Sequence, residues 1–207
     1  MPAADTLLAF FLATLVFAYM PGPAMLFASA QTIARGPRAG MMAVLGIHVG
    51  GYVHVAAATF GLAALFELVP PLYLALKIIG AAYLIWLGAQ MILTRHGQVT
   101  SSSTLPAPSR AFRQGITVEV LNPKAALFFV AFLPQFSDPA ASFPIWAQLL
   151  ILGTVVNLTF GSADVICVVL AHRMARLVQG SRRAQARIKA LGGSILVGLG
   201  LTVALDR

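Results

Sequence analysis

Six long apolar runs alternate with short polar segments along this chain. A membrane-spanning helix needs roughly 20 apolar residues, because each residue adds about 1.5 Å to the helix. The runs that approach this length are Thr6–Ile33, Gly40–Phe66, Leu72–Leu93, Gly115–Phe136, Pro144–Ala171 and Ala190–Leu205. The pattern predicts an all-α polytopic membrane protein with six transmembrane helices.

The composition favours the membrane over water as the surroundings of this chain. Hydrophobic residues make up 59% of the sequence and charged residues only 10%. In soluble domains, roughly 45–50% of the residues are apolar and about 25% are charged. The net charge is +8, but the basic residues fall between the apolar runs rather than on one solvated face. We therefore expect a lipid bilayer and no nucleic acid among the partners.

Basic residues are concentrated in alternate connections, as in cytoplasmic loops of membrane proteins. The second and fourth connections carry Glu67 and Asp138 and no basic residue. The basic residues of the first, third and fifth connections are Arg35, Arg38, Arg95, Arg110, Arg113, Arg173, Arg176, Arg182, Arg183, Arg187 and Lys189. This asymmetry predicts a multi-pass protein of the bacterial inner membrane, with its N-terminus and its C-terminus outside.

The two halves of the chain resemble each other. Lys77–Gly88 and Lys189–Gly200 share lysine, glycine and leucine at matching offsets, and the first and fourth runs both contain a proline break. Three helices per half place the halves in opposite orientations. We predict inverted repeats, residues 1–93 and 114–207, joined by a cytoplasmic linker, 94–113. Chance similarity between leucine- and glycine-rich helices is the alternative.

Pro21, Gly22 and Pro23 interrupt the first run near its middle. Proline removes a backbone donor, and lipid offers no partner for the groups that it frees, so such a break needs a protein or water-filled environment. The helix that restarts at Ala24 presents free N–H groups and the positive end of its dipole. These four residues are therefore candidates to bind a substrate carboxylate. A kink that serves packing alone is the other interpretation.

The fourth run contains Glu119, Asn122, Pro123 and Lys124 around its own break. A charge near the bilayer centre costs roughly 2.5–3.5 kcal/mol on insertion scales, so two in one run call for a reason. Lys124 is a candidate to hold an anionic group, and Asn122 and Pro123 belong to the same site. Structural pairing of Lys124 with Glu119 is the alternative. We expect the two breaks to meet deep in the bilayer.

Titratable residues inside the other runs are candidates for proton coupling. Asp164 lies two turns after Asn157 in the fifth run, and His48 and His54 lie in the second. Asp164 or Glu119 is the candidate for a coupling proton or for a substrate ammonium group, with Asn157 as a polar contact. The histidines titrate near neutral pH and are candidate proton relays. Ordinary hydrogen bonds between helices are the alternative for both.

The sequence offers little for catalysis or for a bound cofactor. It contains one cysteine, Cys167, and no cluster with metal-ligand spacing, no nucleophile with a paired base and no phosphate-binding loop. We therefore expect no catalytic residue, no metal site and no cofactor.

Short motifs extend over nearly the whole chain. They are Pro21-Gly22-Pro23, Gly36-x-x-x-Gly40, Gly80-Ala-Ala-Tyr83-Leu84-x-Trp86-Leu87-Gly88, Phe112-x-x-Gly115, Leu121-Asn122-Pro123-Lys124-Ala125 and Phe128-Phe129. With this set, the chain resembles the LysE/RhtB family of amino-acid exporters. The chain departs from the family pattern at Met20, where serine often precedes Pro-Gly-Pro. The resemblance implies six transmembrane helices, export of amino acids such as threonine, homoserine, leucine or lysine driven by the proton-motive force, and a homodimer.

Three functions fit these observations. The leading one is a secondary transporter that exports amino acids by alternating access. The second is efflux of a metal cation or a hydrophobic amine, which Lys124 in the site disfavours. The third is an intramembrane enzyme that uses His48 or His54 with Asp164. Pocket size, and so the substrate, depends on which of Met25, Phe27, Tyr83 and Phe129 face inward.

Overall fold

The structure is a computed structural model that describes residues 1–60, 70–93 and 108–177, and separate helical positions from 190 to 205. Within these residues the fold is entirely helical. The elements are α1 (Ala4–Tyr19), α2 (Pro23–Arg35), α3 (Pro37–Thr59), α4 (Pro70–Leu93), α5 (Pro108–Val120), α6 (Pro123–Leu127) and α7 (Ile145–Leu177). A π-helical segment, Phe128–Phe132, and a 3₁₀ turn, Leu133–Phe136, continue α6.

The predicted spans correspond to these helices. Among the described residues α3 and α7 are each long and apolar enough to cross a membrane. The pairs α1–α2 and α5–α6 each make one further candidate span, bent by 42° and 46° at the predicted proline breaks. The chain is therefore an all-α polytopic membrane protein. The sixth predicted span lies mostly outside the described residues, and the inverted repeat stays a prediction.

Three predicted boundaries differ from the observed ones. Helix α3 ends at Thr59 instead of Phe66, and the residues after Phe60 lie outside the described part. Helix α5 begins at Pro108, inside the predicted linker, because proline is well suited to a first helical turn. Helix α7 continues to Leu177 instead of Ala171, because basic side chains such as Arg176 are favourable in the last turn of a helix.

Glycines allow α3 to lie against α5 and α2. A Cβ atom added at Gly46 would lie 2.0 Å from the carbonyl oxygen of Phe112, and one at Gly115 would lie 2.4 Å from that of Ala43. The two backbones therefore touch where side chains are absent. Between α2 and α3, Gly36 has a φ of 89°, which favours glycine, and it reverses the chain in one residue.

Two apolar clusters form the core on either side of the broken helices. One includes Phe27, Val44 and Val168, from α2, α3 and α7. The other is aromatic: Phe128 packs against Phe17 of α1 with ring centroids 4.6 Å apart, and Phe129 is fully buried beside it. The polar residues described next lie between these clusters.

Candidate functional site

The first break exposes backbone groups of both half-helices. Helix α1 ends at Tyr19, and Met20 is extended, so its carbonyl oxygen has no partner within a continuing helix. Helix α2 restarts at Pro23, with Gly22 as an N-cap residue that has no side chain to satisfy the first N–H groups. A carbonyl end and an N–H end therefore face each other across Pro21 and Gly22.

The second break is capped by its own side chains. The Oδ1 atom of Asn122 accepts a hydrogen bond from the backbone N–H of Lys124 (3.1 Å), which is an N-cap for α6. The Nδ2 atom of Asn122 donates to the Oε2 atom of Glu119 (3.0 Å). Asn122 thus holds the Glu119 carboxylate, and Pro123 begins the new helix behind it.

Lys124 joins the two breaks. Its Nζ atom donates hydrogen bonds to the carbonyl oxygen of Phe17 (2.9 Å) and to that of Met20. It also lies 4.8 Å from the ring centroid of Phe17 and 5.9 Å from that of Phe160, within cation–π range. A Cβ atom on Gly22 would lie 2.8 Å from Cδ of Lys124. The two breaks are side by side, as the sequence predicts.

The partners of Lys124 differ from those considered from sequence alone. Its ammonium group is bound by backbone carbonyls of α1 rather than by the carboxylate of Glu119. The break after Asn122 turns the side chain of Lys124 toward α1, which the regular spacing along one helix does not suggest.

Asn157 of α7 is held against α3 by a reciprocal pair of hydrogen bonds with His48. The Nδ1 atom of His48 donates to Oδ1 of Asn157 (3.2 Å), and Nδ2 of Asn157 donates to the carbonyl oxygen of His48 (3.1 Å). Glycines make the space: a Cβ atom would lie 2.3 Å from Asn157 at Gly51, and 1.6 Å from His48 at Gly161. The pair crosslinks α3 and α7 at the cavity.

His54 has a different environment from His48. It is buried, its Nε2 atom donates to the backbone carbonyl oxygen of Glu119 (2.7 Å), and its ring stacks on Phe129. It does not line the cavity. His54 therefore supports the end of α5 from behind, which matches the ordinary interhelical contact that the sequence left open.

Two buried carboxyl groups face the cavity. Glu119 is 3% exposed and is held by Asn122; Asp164 is 4% exposed. Within the described part of the chain no hydrogen bond binds the Asp164 carboxyl group. Asp164 is thus an acid that can exchange partners without breaking an existing contact.

A single cavity collects most of the predicted site residues. Eight of the twelve line it: Gly22, Ala24, His48, Glu119, Asn122, Lys124, Asn157 and Asp164. The prolines Pro21, Pro23 and Pro123 shape the breaks without lining it. The lining residues that the sequence did not single out as site residues are Ala18, Met20, Ile47, Phe160 and Gly161. Of the four residues considered for pocket size, only Met25 lines it.

The cavity is small in this state. About 30 Å³ is open to the centres of water molecules, which is room for roughly two waters, since one needs about 10–15 Å³. An amino acid does not fit without separation of the surrounding helices. The polar centre of the structure is therefore narrow.

The family of this protein follows from a sequence match that covers nearly the whole chain. The sequence profile of the LysE type translocators matches residues 15–207. The chain belongs to the LysE type translocator family. Members of this family are transporters, so a non-enzymatic function in the membrane follows at the level of the family.

Similar proteins come from several bacteria. An uncharacterized membrane protein of Vibrio cholerae is 31% identical over 95% of both chains. A leucine efflux protein of Klebsiella pneumoniae is 34% identical over 68% of both chains. A leucine efflux protein of Salmonella typhimurium is 29% identical over 87% of this chain and 83% of its own. No solved structure gives a significant match to this LysE type translocator.

Proposed function

We propose that this chain exports neutral aliphatic amino acids, with leucine as the first candidate, in exchange for protons. The observation that carries the proposal is the meeting of two broken helices, with Lys124, Glu119 and Asp164, at one cavity. Interrupted helices that meet in this way are typical of the substrate sites of secondary transporters. The leucine efflux proteins among the relatives support the substrate class.

The backbone at the first break suits the carboxylate of an amino acid. Helix α2 begins with proline, so its free donors are the N–H groups of Ala24 and Met25, at the positive end of the helix dipole. The ammonium group of Lys124 adds positive charge beside Gly22. A carboxylate bound here would have charge-assisted hydrogen bonds without a dedicated arginine.

The remaining walls suit an ammonium group and an apolar side chain. Asp164 presents its carboxyl group to the cavity, and among the described residues no hydrogen bond holds it. Met25, Ile47 and Phe160 form apolar surface around the same space. A small aliphatic side chain would be desolvated there favourably, whereas a second charge would need a partner of its own.

Proton coupling follows from competition for Asp164. When this carboxyl group is ionised it can form an ion pair with the substrate ammonium, and when it is protonated it offers only a neutral oxygen, which binds the ammonium more weakly. One proton therefore replaces one amino acid, and the two travel in opposite directions. Glu119, fixed by Asn122, is a second acid of the wall, and His48 lines the same cavity as a candidate proton relay.

Transport by purified protein tests this proposal. Proteoliposomes that are acid inside should accumulate labelled leucine, because protons leaving the lumen drive antiport of the amino acid. A protonophore should abolish accumulation, isoleucine and methionine should compete, and lysine and glutamate should compete poorly. Vesicles that take up no leucine under this gradient, or that take up lysine equally well, would contradict the proposed substrate class.

The other candidate functions are less well supported by the site. The groups at the cavity's centre include an ammonium, which repels a divalent cation, and among the described residues no three potential metal ligands are grouped. His48 and His54 bond to Asn157 and to a backbone carbonyl, respectively, and not to Asp164. Cells that overexpress the chain and resist cadmium, but not leucine analogues, would favour metal efflux.

We also propose insertion in the inner membrane with both termini outside, from the distribution of basic residues. Alkaline phosphatase, which is active only outside the cytoplasm, should be active when fused after Arg207 and inactive when fused within the linker at Thr100. The reverse result would overturn the orientation. The homodimer implied by the resemblance stays a prediction, which the mass of the purified protein in detergent tests.

A further inference from the structure

Lys124 is bound in the way that proteins bind a free cation. Its ammonium group contacts the carbonyl oxygens of Phe17 and Met20, and lies against the faces of Phe17 and Phe160. The first break leaves the Met20 carbonyl without a helical partner, and from the backbone the Phe17 carbonyl accepts only the long hydrogen bond of the Met20 N–H (3.3 Å). Residues at the end of α1 and in α7 thus surround the positive charge of Lys124, which belongs to α6.

The carbonyl end of α1 has the chemistry of a monovalent-cation site. The last carbonyls of a helix carry the negative end of its dipole. In discontinuous transmembrane helices, unwound carbonyls and helix C-terminal ends coordinate coupling ions such as Na⁺. Here the same groups are oriented toward one point, and the ammonium of Lys124 occupies that point.

The charges around the cavity also favour a cation at this position. Glu119 and Asp164 are buried acids that line the same space, and Lys124 is the lysine among the lining residues. Buried charges are costly unless paired, so the two acids, once the ammonium is removed, are neutralised by protons or by a small cation from solution. The carbonyls of Phe17 and Met20 favour the small cation, because they can coordinate it.

We propose that Lys124 is a tethered cation that fills a monovalent-cation site at the carbonyl end of α1. The wild-type chain therefore needs no Na⁺ or K⁺, and loss of the ammonium group opens the site to Na⁺. A further consequence is that the proton is left as the one driving ion, and this consequence rests on the proposed function. Occupation of the cation site by Lys124 or by Na⁺ does not rest on it.

Thermal unfolding of purified protein in detergent tests this inference. The Lys124→Ala variant is compared with wild type in NaCl and in choline chloride at equal ionic strength, since choline is too large for the site. We expect no salt-specific shift for wild type. For the variant we expect a rise in Tm that grows with Na⁺ concentration and reaches about 3–6 °C when Na⁺ is roughly tenfold above its Kd.

The conservative variant Lys124→Arg is the matched control, and it should behave as wild type because it keeps the charge. An equal Na⁺ response in wild type and Lys124→Ala, or no response in the variant, overturns the proposal. If Lys124→Ala does not fold in either salt, the same titration is made on Lys124→Gln, which keeps side-chain bulk without charge. A Na⁺ response there supports the proposal, and its absence overturns it.

The outcome separates this inference from the proposed function. Because unfolding requires no transport, a Na⁺ response in the variant stands even if wild type moves no leucine. The converse result is that wild type transports leucine with protons while neither Lys124→Ala nor Lys124→Gln responds to Na⁺. That result would overturn the tethered cation and leave the proposed function standing. Wild-type leucine transport that needs Na⁺ also contradicts the tethered cation.

Discussion

The substitution Asp164→Asn is expected to abolish proton-driven accumulation of leucine while exchange of leucine for leucine continues. The asparagine side chain is similar in size and still offers an oxygen to an ammonium group, but it cannot take up a proton. Wild-type vesicles with a gradient of about two pH units can sustain roughly a 100-fold leucine gradient, at tenfold for each 1.4 kcal/mol. The variant should sustain none.

Both activities are measured in the same proteoliposomes, with an imposed pH gradient for accumulation and with preloaded unlabelled leucine for exchange. Asp5→Asn is the control, because Asp5 is exposed in the first turn of α1 and far from the cavity in sequence. Undiminished accumulation by Asp164→Asn would remove Asp164 from the coupling step. Loss of exchange and accumulation together would make it a binding residue only.

The substitution Gly22→Leu is expected to block export without unfolding the protein. Gly22 is extended, with φ −145° and ψ 178°, a conformation that leucine also adopts. The new side chain would meet Lys124, whose Cδ atom lies 2.8 Å from the added Cβ position, and would enter the cavity. Overpacking of 1–3 kcal/mol corresponds to a loss of about 5- to 150-fold in leucine transport.

Leucine exchange and thermal unfolding are measured together for this substitution. Gly22→Ala should give an intermediate loss, since its methyl group displaces Lys124 less. Ala4→Leu is the matched control, because Ala4 is exposed at the start of α1. If Gly22→Leu transports as well as wild type, the substrate does not pass between the two breaks.

The breaks themselves could be predicted because their causes are local. Pro21, Pro23 and Pro123 each lack an N–H and clash with the preceding turn wherever they stand in a helix. The site residues around them could also be chosen from sequence, because buried polar groups in an apolar run are costly and require a role. Six of the eight chosen residues that line the cavity are such polar groups, and the other two, Gly22 and Ala24, follow from the first break.

The partners of these residues could not be predicted. His48 and His54 are six positions apart in one helix, yet one bonds to Asn157 beside the cavity and the other supports Glu119 from behind. The sequence also did not indicate that the side chains of Phe160 and Met20 line the cavity, because apolar residues fill most of each run. Both outcomes depend on how each helix is rotated about its axis.

The sequence alone determined which segments are helical, where two of them break and which polar groups lie within them, because hydrophobicity and proline act on their immediate surroundings. The tertiary structure alone decided that Lys124 binds the carbonyls at the end of α1 instead of a carboxylate, and that the cavity is narrow. Those contacts join residues more than a hundred positions apart. They depend on the packing of whole helices, in which glycines such as Gly46 and Gly161 set the distance of approach.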